Sequence, residues 1–230
     1  MWVGTKGGLS RFDGVRFTTF DDRDKTQLRE NEVWDLAESA DGTLWIATYG
    51  GGLSRLKDGK FTVFTTADGL VNDFVSTVAV DNEGSVWIGT EGGISRFRDG
   101  RFVNYTTHDG VNIPAVRGLF SDGDGSVWIG TTRGTIYRFA DGSLRAQNFD
   151  GPNPHTDVSA FARDHENSMW FVTLDGLYRV KDGRSTRYST DDGLLSNRMR
   201  TIGLGPDGTI WIGSTHGLTA YRQGAFTSYD

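Results

Sequence analysis

Short runs in which apolar and polar residues alternate, separated by glycine-containing turns, extend along the whole chain. This period of two is typical of β-strands, and no helical period competes with it. Asp-Gly pairs, which favour tight hairpins between strands, recur after many of these runs. They lie at Asp13, Asp58, Asp99, Asp141 and Asp182. The leading strand of each unit is predicted at Val33–Glu38, Val75–Asp81, Val116–Ser121, Val158–Arg163 and Met199–Leu204. The pattern predicts an all-β chain of linked antiparallel hairpins.

Tryptophan recurs in a fixed frame along this pattern. The framed residues are Trp2, Trp45, Trp87, Trp128, Trp170 and Trp211, spaced by 43, 42, 41, 42 and 41 residues. In each full unit, one strand precedes the Trp-bearing strand, a third follows a glycine loop, and an aromatic fourth follows a tight turn. Four antiparallel strands every 40 to 45 residues, roughly, is the pattern of a β-propeller blade. The sequence therefore predicts an all-β propeller of six four-stranded blades, each of about 42 residues.

A single propeller domain is expected over residues 1–230, because no composition shift divides the repeat. The predicted blades cover 1–21, 28–65, 70–107, 111–150, 156–190 and 194–230. One four-stranded sheet cannot bury both of its faces alone, so the core is expected between stacked blades. The six framed tryptophans are interpreted as fillers of that core rather than as binding residues.

The first blade differs from the other five, since no strand precedes Trp2. Five blades are predicted complete, and the first is predicted to lack its innermost strand. The chain is accordingly expected to be an excerpt of a larger propeller. An unpaired strand edge favours association, so a homodimer is a further expectation.

Two copies show the repeat most fully, Asp68-Gly69-Leu70 through Arg96 and Asp192-Gly193-Leu194 through Gly217. Their Asp-Gly-Leu turn, Trp-Ile-Gly frame and Gly-Leu/Ile strand start resemble the two-component regulator propeller repeat. Asp150-Gly151-Pro152 and Trp170-Phe171-Val172 depart from that pattern. The resemblance implies an extracytoplasmic, periplasmic sensor of a bacterial membrane receptor with a histidine kinase, hybrid regulator or diguanylate cyclase output. Several members of the family sense carbohydrates. Streptogramin-lyase propellers share the Gly-x-x-Trp pattern and remain an alternative resemblance.

Composition narrows the possible partners and chemistry. The net charge of −6 argues against nucleic-acid binding. No window has the apolar length needed to span a bilayer, so no direct membrane contact is expected. Cysteine is absent, and the four histidines show no ligand spacing, so neither a metal nor another cofactor is predicted. No catalytic signature is found, and this segment is predicted not to be an enzyme.

Positions that vary within the fixed repeat frame are the candidate ligand-binding residues. The loops before the first strand and between the second and third strands share one face of a propeller. At the second loop the copies carry Lys6, Tyr49, Glu91, Arg133, Asp175 and His216. At the second position of the first strand they carry Trp34, Ser76, Arg117, Ser159 and Arg200. An exposed indole beside arginines suits a polar, carbohydrate-like ligand.

Three functions follow from these observations. The first is a non-catalytic sensor module that binds a small polar or carbohydrate ligand at the channel mouth. The second is a protein-interaction or dimerisation propeller without a small ligand. The third is a propeller lyase or hydrolase, which requires an acid–base pair such as His216, Glu91 and Asp175 on one face.

Overall fold

A computed structural model of the chain describes residues 1–23, 28–106, 113–151 and 153–229. The predicted blade limits at 107, 111 and 230 lie outside these residues. The chain forms two compact units, Met1–Val116 and Arg117–Asp230. The boundary falls between Val116 and Arg117, at the start of the strand Val116–Ser121. A single domain over 1–230 remains a prediction.

Each blade is a separate sheet whose strands are neighbours in sequence order. Blade 1 has three strands, and blades 2 to 6 have four each. Blade 1 comprises β1 (Trp2–Thr5), β2 (Gly8–Phe12) and β3 (Phe17–Phe20). Blade 2 comprises β4 (Val33–Glu38), β5 (Leu44–Thr48), β6 (Gly52–Lys57) and β7 (Lys60–Phe64). Blade 3 comprises β8 (Val75–Val80), β9 (Val86–Thr90), β10 (Gly93–Arg98) and β11 (Arg101–Tyr105).

The remaining blades repeat this order. Blade 4 comprises β12 (Val116–Ser121), β13 (Val127–Thr131), β14 (Ile136–Ala140) and β15 (Ser143–Gln147). Blade 5 comprises β16 (Val158–Arg163), β17 (Met169–Thr173), β18 (Leu177–Lys181) and β19 (Arg184–Tyr188). Blade 6 comprises β20 (Met199–Leu204), β21 (Ile210–Ser214), β22 (Gly217–Arg222) and β23 (Ala225–Tyr229). The all-β propeller class predicted from the repeat is confirmed, as is the three-stranded first blade.

The hairpin between the third and fourth strands follows the Asp-Gly signal. Asp99 and Gly100 both have positive φ, 51° and 76°, as a two-residue hairpin turn requires. The turn brings Arg98 opposite Arg101 and fixes the register of β10 against β11. The same pair of positive angles occurs at Asp58-Gly59, Asp141-Gly142 and Asp182-Gly183.

The apolar core lies between neighbouring blades. In the first unit, one cluster joins blades 1 and 2 around Leu9 and Ile46, and another joins blades 2 and 3 around Trp45 and Ile88. In the second unit, equivalent clusters join blades 4 and 5 and blades 5 and 6. Neighbouring blades within a unit thus bury the faces that they turn toward each other, which makes adjacent blades depend on each other for stability.

The framed tryptophans do not all have the same exposure. Trp45, Trp87, Trp128 and Trp170 are buried, and Trp45, Trp128 and Trp170 belong to inter-blade clusters. Trp2 is half-buried against the cluster of blades 1 and 2. Trp211 keeps 36% of its surface exposed.

A β-bulge occupies the second position of the first strand in blades 2, 3, 5 and 6. In blade 2, Val33 pairs with Thr48 and Asp35 pairs with Ala47, so Trp34 is the extra residue. The equivalent bulges lie at Ser76, Ser159 and Arg200. A bulge redirects its side chain away from the regular alternation. The position singled out by its sequence variability is therefore also a structural exception to the sheet.

Candidate functional site

In the first unit, the loop before the first strand meets the loop between the second and third strands. The Tyr49 amide donates to the Glu32 carbonyl at 3.0 Å within blade 2, and the Glu91 amide donates to the Phe74 carbonyl at 3.1 Å within blade 3. The Gly50 amide crosses between the blades to the Asp73 carbonyl at 3.2 Å. These bonds place the variable loop positions of blades 2 and 3 side by side.

Three aromatic rings meet on this loop face. Trp34 stacks on Tyr49 with ring centroids 4.5 Å apart and planes 10° apart. Tyr49 in turn meets Phe74 edge to face at 5.0 Å. The side chains of Trp34 and Phe74 remain 43% and 45% exposed, which leaves two large apolar rings in contact with solvent. We call Trp34, Tyr49 and Phe74 the aromatic platform.

Polar groups border the aromatic platform. The Tyr49 hydroxyl donates to Glu91 Oε1 at 3.3 Å, which ties the ring to blade 3. Arg29 Nη1 donates to Asp73 Oδ2 at 3.3 Å, next to Phe74 in sequence. Apolar ring surface bordered by carboxylate acceptors and a guanidinium donor can hold a ligand that has both C–H faces and hydroxyl groups.

Lys6, the candidate from blade 1, points to the same loop region. Its ammonium lies 3.8 Å from a Glu32 carboxylate oxygen, with 90% of the Lys6 side chain exposed. An ion pair this exposed contributes little to stability, so Lys6 stays available to a ligand.

A partly buried carboxylate lies next to Trp34 in sequence. Asp35 Oδ2 accepts hydrogen bonds from Thr77 Oγ1 at 2.8 Å and from the Val78 amide at 3.0 Å. Asp35 Oδ1 accepts from the Leu36 amide at 2.8 Å. Burial raises the pKa of Asp35, against these hydrogen bonds, which lower it. Asp35 therefore ties the first strands of blades 2 and 3 together directly behind the aromatic platform.

In the second unit, Asp175 is the centre of a polar network on the loop face of blade 5. His155 Nε2 lies 3.3 Å from Asp175 Oδ2, and Thr173 Oγ1 donates to Asp175 Oδ1 at 2.5 Å. Arg187 donates to the Asp175 carbonyl. The Tyr178 hydroxyl donates to Asp175 Oδ2 at 3.5 Å, and burial, together with the Asp175 charge, raises the pKa of Tyr178 to about 12.

The other candidates of the second unit lie at separate positions on its blades. Arg117 Nε lies 3.7 Å from Asp157 Oδ2, and the Arg117 side chain is 22% exposed. Arg133 is exposed and has a positive φ of 71°. His216 Nδ1 lies 2.9 Å from Thr215 Oγ1. Arg200 is exposed at its bulge.

The structure brings together Trp34, Tyr49 and Glu91 among the candidates of the first unit. Of the proposed acid–base set, Asp175 pairs with His155, His216 bonds to Thr215, and Glu91 belongs to the first unit. Phe74 was missed by sequence reasoning, although the repeat carried a signal. The position before the first strand holds Glu32, Asp157 and Arg198 in other blades, so an aromatic residue there is an exception.

Within residues 1–23, 28–106, 113–151 and 153–229, no three His, Asp or Glu side chains are arranged to hold a metal ion. His108 lies outside the described residues. In the same part of the chain, no helix has the length and apolar content to cross a bilayer.

Comparison with protein families identifies the repeat. The family described as two component regulator propeller matches residues 27–50 and 69–92, the segments that end in the Trp frames of blades 2 and 3. The resemblance drawn from the repeat sequence is confirmed. No curated protein matches the chain.

Solved structures show the same fold. The extracellular domain of the hybrid two component system BT3049 from B. thetaiotaomicron is 24% identical, with a TM-score of 0.82. The comparison covers 100% of this chain and 32% of that one. The extracellular domain of BT4673 from the same organism is 21% identical with a TM-score of 0.76, covering 96% and 31% of the two chains. This chain thus spans about a third of each domain.

An enzyme also shares the fold. Virginiamycin B lyase from Staphylococcus aureus, in complex with quinupristin, is 20% identical with a TM-score of 0.71. The comparison covers 86% of this chain and 69% of the lyase. At these identities the likeness concerns the fold, and the residues of the site must decide the function.

Proposed function

We propose that this chain of two-component regulator propeller repeats is a ligand-sensing module that binds a carbohydrate-like molecule on the aromatic platform. The observation that carries the proposal is the exposed stack of Trp34 on Tyr49, bordered by Glu91. Other blades hold Ser76 and Ser159 at the position of Trp34, so the blade fold does not need an indole there. An exposed aromatic surface that the scaffold does not use is a binding feature.

The platform matches the two kinds of surface on a sugar ring. The C–H face of a pyranose is apolar and can lie on the indole of Trp34, while its hydroxyl groups need donors and acceptors at the rim. Glu91 supplies an acceptor there, and Arg29 supplies a donor. The hydrogen bond from Tyr49 to Glu91 holds the phenol ring in place, which reduces the entropy lost on binding.

The sensor is proposed to act outside the cytoplasm, in the periplasm, as part of a longer receptor that carries the output domain. The fold shared with extracellular domains of two component systems supports this placement. In this proposal the chain binds its ligand without converting it, and binding is passed to the rest of the receptor.

Isothermal titration calorimetry of the intact ectodomain against a panel of glycans tests the proposal. We expect saturable binding to one class of glycan, with a negative heat-capacity change from burial of the platform. Absence of binding across a panel of neutral, acidic and sulfated glycans would overturn the carbohydrate proposal.

A lyase is the second candidate, and the His155–Asp175 pair favours it. A carboxylate 3.3 Å from an imidazole can orient a general base, and the fold is shared with virginiamycin B lyase. Incubation with quinupristin followed by mass spectrometry tests this candidate. Conversion that is lost in His155→Ala would support it, and unchanged quinupristin would exclude this substrate.

A further inference from the structure

Asp35 departs from the repeat at the position directly after Trp34. The equivalent residues of blades 3 to 6 are uncharged, namely Thr77, Gly118, Ala160 and Thr201. Blades 3, 5 and 6 form the same β-bulge just before this position, so the bulge itself does not need a carboxylate. Among blades 2 to 6, an indole at the bulge position and an acid after it occur in blade 2 alone, and they occur there together.

One oxygen of Asp35 holds the backbone where the bulge ends. Asp35 pairs with Ala47 and Leu36 pairs with Ile46, so the regular pairing of β4 with β5 resumes at these residues. Asp35 Oδ1 accepts a hydrogen bond from the Leu36 amide at 2.8 Å. This bond stabilises the local backbone that directs the side chain of Trp34 away from the regular alternation of the strand.

The other oxygen of Asp35 reaches the next blade. Asp35 Oδ2 accepts from Thr77 Oγ1 at 2.8 Å and from the Val78 amide at 3.0 Å, and both donors belong to β8. Because blades 2 and 3 are separate sheets, no ladder hydrogen bond fixes the position of β4 along β8. A side chain of one strand that accepts from a backbone amide of the other can fix it.

The strand β8 begins directly after Phe74, the third ring of the aromatic platform. The hydrogen bonds of Asp35 therefore join the strand that carries Trp34 to the strand that follows Phe74. Tyr49 contacts both of these rings, by its stack on Trp34 and its edge-to-face contact with Phe74. The three rings and the Asp35 carboxylate thus form one connected set across blades 2 and 3.

The carboxylate is kept at this place although burial disfavours its charge. Burial raises the pKa of Asp35. The strands that pack against β4, which are β1, β5 and β8, hold no lysine, arginine or histidine that could offset this cost with an opposite charge. Other blades place threonine or alanine after the same bulge, so the scaffold does not require the acid. A costly group that the scaffold does not require indicates a role in the neighbouring site.

We infer that Asp35 is a positioning residue for the aromatic platform, whose carboxylate fixes the bulge of Trp34 to β8 and so sets the spacing of Trp34 and Phe74. Asp35 acts through Trp34 rather than on the ligand. The consequence for binding rests on the proposed function of the platform, since a ligand then finds the rings already in place. Such preorganisation raises affinity because less conformational entropy is lost on binding.

Asp35→Thr is the variant that tests this role. Blades 3 and 6 carry Thr77 and Thr201 after the same bulge, so the blade fold is expected to accept the threonine. The carboxylate that receives the Val78 amide is lost. Leu56→Ala is the matched control, because Leu56 lies in the core between blades 1 and 2 and its truncation lowers stability without removing a hydrogen bond of Asp35.

Fluorine NMR of the intact ectodomain labelled with fluorotryptophan reports on Trp34 in the absence of any ligand. The Trp34 resonance is identified by its loss in Trp34→Phe. We expect Asp35→Thr to shift this resonance, because the indole no longer keeps its stack on Tyr49, and we expect Leu56→Ala to leave it in place. Circular dichroism verifies that each variant is folded.

Titration calorimetry with the glycan that binds the unmodified ectodomain gives the second readout. Asp35→Thr should weaken the affinity by about tenfold, comparable to the loss when a group that supports a metal ligand is removed. Leu56→Ala should bind as the unmodified ectodomain does, although it is less stable.

Three outcomes would overturn the inference. The Trp34 resonance could stay in place in Asp35→Thr, whether or not a glycan binds. It could move equally in Leu56→Ala, which would assign the shift to lower stability. The glycan affinity of Asp35→Thr could stay unchanged although the resonance moves, which would show that the spacing of the rings does not control binding. If no glycan binds the unmodified ectodomain, the carbohydrate proposal fails, and the resonance still decides whether Asp35 positions Trp34.

Discussion

The indole of Trp87 donates a hydrogen bond from Nε1 to Asp81 Oδ2 at 2.8 Å. The other carboxylate oxygen of Asp81 accepts from the Ser85 amide at 2.8 Å, so the same residue caps the turn before the Trp strand. Arg96, the cross-strand partner of Trp87, lies over the ring at 5.2 Å. Trp128 with Asp122 and Trp170 with Asp164 repeat the hydrogen bond. Blades 3 to 5 thus repeat a unit of Trp, Asp and Arg rather than a tryptophan alone. In blade 2, Trp45 donates to Ser39 instead.

Trp87→Ala is expected to lower the free energy of unfolding by about 3–5 kcal/mol, since a fully buried indole leaves a large cavity. Trp211→Ala is expected to cost clearly less, because 36% of that side chain is exposed and a hydrogen bond to an Asp is missing there. Urea unfolding followed by circular dichroism measures both. Equal losses in the two variants would contradict the role assigned to burial.

Blade 6 lacks both partners of its tryptophan, and restoring them is expected to stabilise the chain. Gly205 occupies the position of Asp81, and Ala220 occupies that of Arg96. A Cβ on Gly205 would lie 3.1 Å from Trp211 Nε1, which places an Asp carboxylate within reach of the indole once the neighbours shift slightly. We expect Gly205→Asp with Ala220→Arg to add about 0.5–1.5 kcal/mol, the usual net value of a hydrogen bond.

A double-mutant cycle separates the two substitutions. Gly205→Asp alone brings a second carboxylate close to Asp207 and is expected to gain little. The arginine is expected to offset the repulsion between the two carboxylates. The stabilisation by the double substitution should therefore exceed the sum of the effects of the two single substitutions. Additive effects in urea unfolding would show that Trp, Asp and Arg do not act as a unit.

The blade repeat was predictable from sequence because its signals are local. The Asp-Gly pairs fix the turns, and the Trp frame fixes the register of the second strand, so β4, β12, β16 and β20 begin and end as predicted. The different exposures of Trp45 and Trp211 could not be predicted, because both have the same local sequence pattern. Exposure depends on whether another blade covers the ring, and a single repeat does not contain that information.

The candidate site was predictable only in part. Variation within the frame singled out Trp34 and Tyr49, which do stack. It did not single out Asp35, whose carboxylate is fixed by Thr77 and Val78 from the next blade, 42 and 43 residues away. The sequence also did not predict the bulge at Trp34, since the bulge depends on how β4 pairs with β5. Contacts between blades and register irregularities arise from tertiary structure.

Asp35 is expected to make stability fall as pH rises. Its pKa in the folded chain lies above the ordinary value of 3.8, chiefly because the carboxyl group is buried. The unfolded chain therefore releases this proton first, and stability is lost from pH 3.8 upward through the folded pKa. Asp35→Asn removes this dependence, so the stability of the unmodified chain relative to the variant should decrease as the pH rises above 3.8.

Asp41 gives the opposite sign and serves as the control. The hydrogen bond from Lys57 lowers the pKa of Asp41 to about 2, so its contribution is present above 3.8 and is lost as the pH falls toward 2. Asp41→Asn should therefore be less stable than the unmodified chain above pH 3.8, and this difference should disappear as the pH falls toward 2. Parallel stability curves for Asp35→Asn and the unmodified chain above pH 4, roughly the ordinary range for a carboxyl, would contradict the raised pKa.

Removal of the platform rings is expected to abolish most of the ligand affinity. Trp34→Ala deletes the exposed surface and should weaken binding at least tenfold, about 1.4 kcal/mol, as is usual for a central aromatic contact. Tyr49→Phe keeps the ring under Trp34 but loses the hydroxyl bond to Glu91, so a smaller loss is expected. Titration calorimetry with the glycan that binds the unmodified ectodomain measures both.

Trp211→Ala is the matched control for this series, because Trp211 is a comparably exposed tryptophan that lies outside the platform. Its glycan affinity should equal that of the unmodified chain. If Trp34→Ala also bound as before, the ligand would have to contact another part of the loop face. The second unit offers the Asp175 network, and Asp175→Asn would then be the next variant to titrate, since it removes the charge that His155 faces while keeping the side-chain shape.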